Sequence, residues 1–467
     1  MKLKRLLVGM ISATMLTGAL AGCGDSGTDD KTKDDGKKGE VVVDFWTAPE
    51  QYNLDIWTKY AEKFNGADVT LDGKKINVKV QMMPAQPSSE AGIQNAIATG
   101  TVPAISENIN RSFAGTLAAA DAVYDLSKED WYKDVVAERK LDDVMTGWGI
   151  DGAQYVLPLY VNPITYVYNS KALKELGITK VPETVAEFDA LLNAYKDKKD
   201  DLNGNGVTHF MYRTELVKTA DWWERWFDFE SQYNAFSKGG GLVDGNTLTV
   251  DKDAAKKVFE LYGKMGESLL TGEISGLWQQ DTVPVVMGQG VPWDISTNKA
   301  AGKEYGIDGD YVYGPTLVEN EGDTPYCFAD SKGLVLYKNE NVSDEQHKAA
   351  IEFLKYVFTG DGKDTFDVDW LEATTMLPVR GDLDTNANVA TYFESNPALK
   401  AVSAFVKDGV PCMAHEKMGD ILTALAEGGL TPYITEKVAG AKIGETPDAS
   451  SYVDSAIEAM KTAGGLD

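Results

Sequence analysis

The chain has 467 residues, too long for one ordinary domain, and with 43% of them hydrophobic and 25% charged it holds enough apolar material for a large core. It carries 45 basic and 72 acidic residues, a formal charge of -27. So acidic a chain argues against nucleic acid as a partner and against adhesion to anionic lipid by charge alone, and it favours solubility.

Residues Met1–Arg5 are basic, and Leu6–Ala21 are apolar or small without charge. This stretch is shorter than the ~20 residues a spanning helix needs, so residues 1–22 read as a secretory signal. Leu20-Ala21-Gly22-Cys23 resembles the lipobox of bacterial lipoproteins. That resemblance implies removal of the signal and a lipid on Cys23, anchoring the protein at the extracellular face of the cell membrane. Gly24–Glu40 hold no apolar residue and read as a flexible tether, so residues 23–40 form a lipidated cysteine and its linker.

Val41–Trp46 is a β-rich apolar run, expected as a buried strand. Pro49 is expected to open a helix with Ile56, Trp57, Tyr60, Ala61 and Phe64 at helical spacing. Ile76, Val78, Val80 and Met82 alternate with polar residues, the period of a strand. The start is therefore strand, helix, strand, the unit of an α/β sheet. Further along, Ser170 is expected to cap a helix ending at Gly177, and Asp251 to cap another. Thr184 with Glu187, and Ser343 with Gln346, fit capping boxes. Strands are expected at Thr165–Tyr168, Thr282–Met287 and Gly333–Tyr337, and the last hundred residues are mostly helical in pattern. Cys327 and Cys412 read as free, buried thiols, although a pair is possible in an exported protein.

Several segments together resemble the family 1 extracellular solute-binding proteins, the group that includes maltose-binding proteins. They are Ala96–Ile105, Tyr155–Pro158 with Tyr166–Leu173, Val181–Phe188, Met287–Trp293 and Leu377–Arg380. Ala104 departs from the Asp usual in that family after the proline. The resemblance implies an α/β, two-lobed, periplasmic-binding-protein-like fold of type II with a ligand cleft at the hinge. One lobe is expected to hold 41–157 plus 315–360, the other 158–314 plus 361–467. Crossings are expected near Leu157–Asn162, Tyr313–Thr316 and Phe358–Lys363. It further implies a substrate-binding subunit of an ABC importer that captures a sugar or oligosaccharide, delivers it to membrane permease subunits, and works as a monomer without catalysis.

A sugar presents an apolar face to aromatic planes and hydroxyls to Asn, Asp, Glu and Arg. Trp293 and Asp294 are the leading candidates, in a loop with Gly288, Gly290 and Pro292. Glu50 follows the first strand and is either a hydroxyl acceptor or a helix-start charge, and Trp46 is either a platform or, the simpler reading, core. Asn108, Asn110 and Arg111 fit hydroxyl recognition or a polar helix cap. Trp222 and Trp223 belong to the densest aromatic run, Asp221–Phe227, where one or two rings are ligand platforms at most and the others anchor the helix. Met413, His415, Glu416 and Met418 reach the cleft from the C-terminal region or are structural.

Asp201, Asn203 and Asn205 fit the first half of a calcium loop, but Tyr212 stands at the twelfth position and His209 at the ninth, so an Asn-Gly-rich turn is the plainer reading and no cofactor is expected. One rival is a secreted glycoside hydrolase, which needs two carboxylates roughly 5–10 Å apart. Gly-x-Ser-x-Gly and His-Glu-x-x-His motifs are absent, and the three histidines are scattered. The other rival keeps the fold and binds a polyamine, a peptide, an anion or a metal such as iron.

Overall fold

Val41, Val43 and Phe45 alternate into the core from the first strand, β1 (Glu40–Thr47). The computed structural model describes residues 39–467 except 87, 143, 145–146, 204–209, 215–221 and 272–284, without the side chains of 203 and 222–226. The leader, Cys23, most of the tether and the start of the strand expected at Thr282 lie outside the described residues.

Helix α1 (Gln51–Gly66) buries Ile56, Trp57, Tyr60, Ala61 and Phe64, with Glu50 rather than Pro49 at its N-cap position. After β2 (Thr70–Leu71), β3 (Lys74–Met82) returns parallel to β1, completing the expected strand–helix–strand unit. Helix α2 (Ser89–Thr99) leads to β4 (Ile105–Ile109), parallel to β1 on its other side. Helices α3 (Arg111–Ala119) and α4 (Asp130–Arg139) follow.

The thirteen-residue β5 (Leu157–Asn169) is longer than its apolar signal at Thr165–Tyr168. Helix α5 (Ser170–Leu176) is capped by Asn169, not Ser170: the Asn169 side chain accepts the N–H groups of Lys171 and Ala172, each at 3.1 Å. Thr184 and Glu187 form their reciprocal bonds before α6 (Val185–Asn203). Then come β6 (Phe210–Arg213), α7 (Trp222–Phe236), the hairpin β7 (Val243–Asp244) and β8 (Thr247–Leu248), and α8 (Lys252–Met265), capped by Asp251 as expected. The chain continues through β9 (Leu269–Leu270), β10 (Val285–Gly290), α9 (Asp294–Ala300), β11 (Tyr311–Gly314) and β12 (Cys327–Leu336). Helix α10 (Asp344–Phe358) starts at the Ser343–Gln346 capping box, and α11 (Phe366–Thr374) and β13 (Gly409–Pro411) precede a mostly helical C-terminal region.

Eleven described strands form one sheet in the order β2-β3-β1-β4-β12-β5-β10-β6-β9, with β11 beside β5 and β13 beside β12. Two lobes share it. In the first, Phe45, Trp57, Phe353 and Trp370 pack together, while Phe113, Leu117 and Trp148 belong to a separate cluster with Ile109 and Val335. In the second, Leu191, Phe259 and Tyr433 share one cluster, and Tyr311, Leu377 and Leu399 another. Each fully buried aromatic or aliphatic side chain contributes roughly 1.5–3 kcal/mol.

The lobes join through strands that run from one into the other. The first part of β5, Leu157–Ile164, pairs with β12, and its second part pairs with β10 and β11. Strand β12 pairs with β5 and then reaches β4. The return passage therefore lies in β12 rather than at Tyr313–Thr316, because Tyr313 still pairs with the far part of β5. A third segment, Leu377–Val379, bonds alongside β5 at Leu159 and Val161. It lies beyond the expected Phe358–Lys363, because Phe366 and Trp370 still pack in the first lobe's core. Cys327 and Cys412 are both free and buried. Among the described residues no helix is long and apolar enough to cross a membrane.

Candidate functional site

A cavity of about 570 Å³ lies between the lobes, beyond the carboxyl ends of β1 and β4. Open α/β sheets bind ligands in that position, because the loops there are free to vary while the strands hold them.

The first lobe's wall is built around Glu107, a fully buried carboxylate on β4. Its Oε1 accepts the Ala48 N–H at 2.7 Å and the Asn53 amide at 2.8 Å, and its Oε2 accepts the Trp57 indole N–H at 2.7 Å. These bonds hold the β1–α1 turn, which presents Glu50 and Tyr52 to the cavity. Burial pushes the Glu107 carboxyl up to about 7 even against its three donors.

Next to Glu107 the β4–β12 register shifts, and Asn108 adopts a left-handed φ of 65°. Asn tolerates that conformation better than most residues, and a bulge re-aims a side chain. Asn108 thus faces the cavity, where its Oδ1 accepts a 3.3 Å hydrogen bond from the Tyr160 hydroxyl. Asn110 also lines the cavity while its Oδ1 caps α3 through the Phe113 N–H at 2.8 Å, so its two expected readings coexist. Glu90, in the first turn of α2, completes this side; burial raises its carboxyl pKa, opposed by Lys332 and Asn110.

The second lobe supplies an aromatic wall. Trp293 stands 6.2 Å from the Phe227 ring, and Phe227 stands 5.6 Å from Phe328, centroid to centroid. The Trp293 loop is pinned by the Tyr313 hydroxyl on the Val291 carbonyl and the Thr375 hydroxyl on the Pro292 carbonyl, each at 2.9 Å. A side chain at Gly290 would sit 2.8 Å from Tyr166 backbone, so only glycine lets β10 approach β5 there. Met376, Cys412 and Met418 add apolar surface, and the crossing strand β12 contributes Asp330, Ser331 and Lys332.

Of the residues singled out from sequence, Glu50, Asn108, Asn110 and Trp293 come together around this cavity. Trp46 does not: it is 8% exposed and packs in a core cluster with Phe113 and Trp148. Arg111 is turned to the Gly149 carbonyl, which accepts from its Nε at 2.9 Å. Asp294 opens α9 outside the lining, with its carboxyl pushed up to about 6 by burial. His415 is buried, and its Nδ1 accepts the Lys417 N–H; Glu416 is exposed. Of that C-terminal group Met418 lines the cavity, together with Cys412. Trp222 and Trp223 start α7, but their side chains lie outside the described residues. Asp201 is exposed near the end of α6, while the Asn203 side chain and Asn205 lie outside the described residues. Among the described residues no cluster of His, Cys, Asp or Glu is fit to hold a metal. Phe227, the last ring of the aromatic run, does line the cavity, whereas sequence reading missed Tyr52, Tyr160, Asp330 and Lys332, which line it too.

Residues 59–401 match the model of the family described as bacterial extracellular solute-binding protein. The chain is 30% identical to an uncharacterized protein of Listeria monocytogenes EGD-e whose structure superposes with a TM-score of 0.74, covering 91% of this chain and 98% of that one. It is 23% identical over 401 residues to the maltodextrin-binding protein MdxE of Bacillus subtilis strain 168, covering 82% of this chain and 83% of the relative. The cyclic alpha-maltosyl-1,6-maltose binding protein of Arthrobacter globiformis shares the fold, with a TM-score of 0.69 at 16% identity, covering 91% and 99% of the two chains. With nearly three-quarters of its length matched by the family model and its cavity set between two α/β lobes, the chain belongs to the bacterial extracellular solute-binding proteins.

Proposed function

We propose that this protein is the substrate-binding subunit of an ABC importer and captures a sugar or short oligosaccharide between its lobes. The observation that carries this reading is the two-faced cavity: Trp293, Phe227 and Phe328 on one side, and Glu50, Glu90, Asn108 and Asn110 on the other. A pyranose has that same division, an apolar ring face and a hydroxyl rim. The relatives named for maltodextrin and for a cyclic maltosyl-maltose support carbohydrate over an amine or a metal.

Ligand contacts made by both lobes stabilise the closed arrangement over the open one, which is how a solute drives hinge closure. Capture of this kind involves no bond breaking and no cofactor. The protein is proposed to act as a monomer, held at the extracellular face of the membrane by lipid on Cys23 and presenting its closed form to the permease subunits. Replacing Cys23 by Ser is expected to move the protein from the membrane fraction to the medium; retention at the membrane would sink the anchor.

The ligand class is tested by thermal shift on the lipid-free chain, residues 24–467, against mono- and oligosaccharides, amines and metal ions. Selective binding to the native state raises stability by about 4 kcal/mol at a thousandfold excess over Kd. A shift with saccharides supports the reading. A shift confined to amines or metal ions contradicts it.

A further inference from the structure

Asp330 and Lys332 are two residues apart on β12, the strand that passes from one lobe to the other. Alternate residues of a strand share a face, with Cα atoms roughly 7 Å apart. Both line the cavity. Asp330 is only 9% exposed, yet among the described residues no group donates a hydrogen bond to its carboxylate. Lys332 likewise has no ion pair among the described residues. Their charges interact, since Lys332 opposes the upward shift that burial imposes on the Asp330 carboxyl, but the two do not pair. The Asp330 oxygens are not sealed in protein but open to the cavity, so a largely buried carboxylate without protein donors is left for the cavity's occupant to complete.

We propose that Asp330 and Lys332 read a neutral hydroxyl edge of the ligand, with one alcohol donating to the carboxylate and its neighbour accepting from the ammonium. This rests on the sugar-capture reading and narrows it. An amine, although drawn by Asp330, Glu90 and Glu50, would face Lys332 as a like charge and leave its ammonium without an acceptor. A phosphate or carboxylate would meet Asp330, with Glu90 and Glu50 in the same cavity. A vicinal diol is both donor and acceptor and satisfies both groups without a net charge. Because these residues belong to the crossing strand, the ligand would engage the joint between the lobes as well as their walls.

The test compares the lipid-free chain with D330N and K332M by calorimetric titration. The probes are neutral trisaccharides (maltotriose, mannotriose, xylotriose), cationic chitosan trisaccharide and anionic trigalacturonate. At least one neutral trisaccharide is expected to bind tenfold or more tighter than either charged one. D330N is expected to weaken it about ten- to hundredfold, the range for a hydrogen bond to a charged group. Ligand-free D330N is also expected to melt higher than the parent, because an unpartnered buried charge is gone; a merely structural Asp330 would give a lower melting point. K332M is expected to lose affinity while melting normally. Equal binding by the parent and both variants, or preference for a charged trisaccharide, overturns the proposal while saccharide capture stands. Failure of every trisaccharide to bind the parent overturns this proposal, and the capture reading falls with it only if no mono- or oligosaccharide of the thermal-shift series binds either.

Discussion

Glu107 accepts the indole N–H of Trp57 at 2.7 Å through one carboxylate oxygen, while the other oxygen takes the Ala48 N–H and the Asn53 amide. One buried side chain on β4 therefore fixes both the first helix and the turn that carries Glu50 and Tyr52 to the cavity. Glu107→Gln keeps the shape but turns an NH2 group toward a donor. The expected loss is about 1–3 kcal/mol of stability together with weaker saccharide binding. Chemical denaturation and titration of the variant check this; unchanged values in both would show that the turn does not depend on the carboxylate.

Trp293 is half-buried, packs toward Phe227 and lines the cavity. Trp293→Ala removes a stacking plane more than a core residue. Expected is a loss of about 1–2 kcal/mol in saccharide affinity, roughly five- to thirtyfold, with a smaller effect on the ligand-free melting point. A variant that binds normally would move the stacking role elsewhere.

Gly333 sits where β12 crosses β5. A Cβ there would collide with the Leu157 carbonyl oxygen and lie 2.6 Å from Val156 Cγ1. Since the nearer atom is backbone, it cannot swing aside. Gly333→Ala is expected to cost about 1–3 kcal/mol, as overpacking does, and urea denaturation measures it directly. Stability equal to the parent's would mean that the crossing strands separate easily.

Glu230 is buried in α7, and burial pushes its carboxyl up to about 8. Its ordinary value is 4.5, so between those limits the folded protein holds a proton that the unfolded chain releases. Its contribution is fully present below pH 4.5 and is lost as pH rises through about 8, on the order of 4 kcal/mol in all. Glu230→Gln removes that slope. The variant is expected to match the parent near pH 4 and to exceed it in stability near pH 9. Parallel stability curves for the two proteins across that range would contradict the assignment.

Much of the fold was legible because local rules agreed with it. The period of Ile76 to Met82 gave its strand, and Asp251 and the Ser343–Gln346 pair gave their helix starts. The site was legible where a loop followed a strong strand, as at Glu50, or where glycine and proline flanked an aromatic, as at Trp293. Asp330 and Lys332 were hidden for a physical reason. They interrupt the apolar run, so the strand pattern begins only at Gly333, although β12 starts at Cys327. Polar residues in a buried strand contradict local propensity, and such conflicts concentrate where a ligand binds. Trp46 misleads in the opposite sense, because its place at the end of β1 is compatible with a cleft while its ring turns into the core. Phe227 closes the densest aromatic run, but only the packing of α7 brings its ring near Trp293, so the run alone does not say which ring is the platform.

The most direct test of capture between the lobes is hydrogen–deuterium exchange of the lipid-free chain with and without a saturating neutral trisaccharide. Protection is expected in two separate places at once: the Ala48–Asn53 turn of the first lobe and the Val291–Ile295 loop of the second. Protection of one lobe alone, or of neither despite binding, would contradict it.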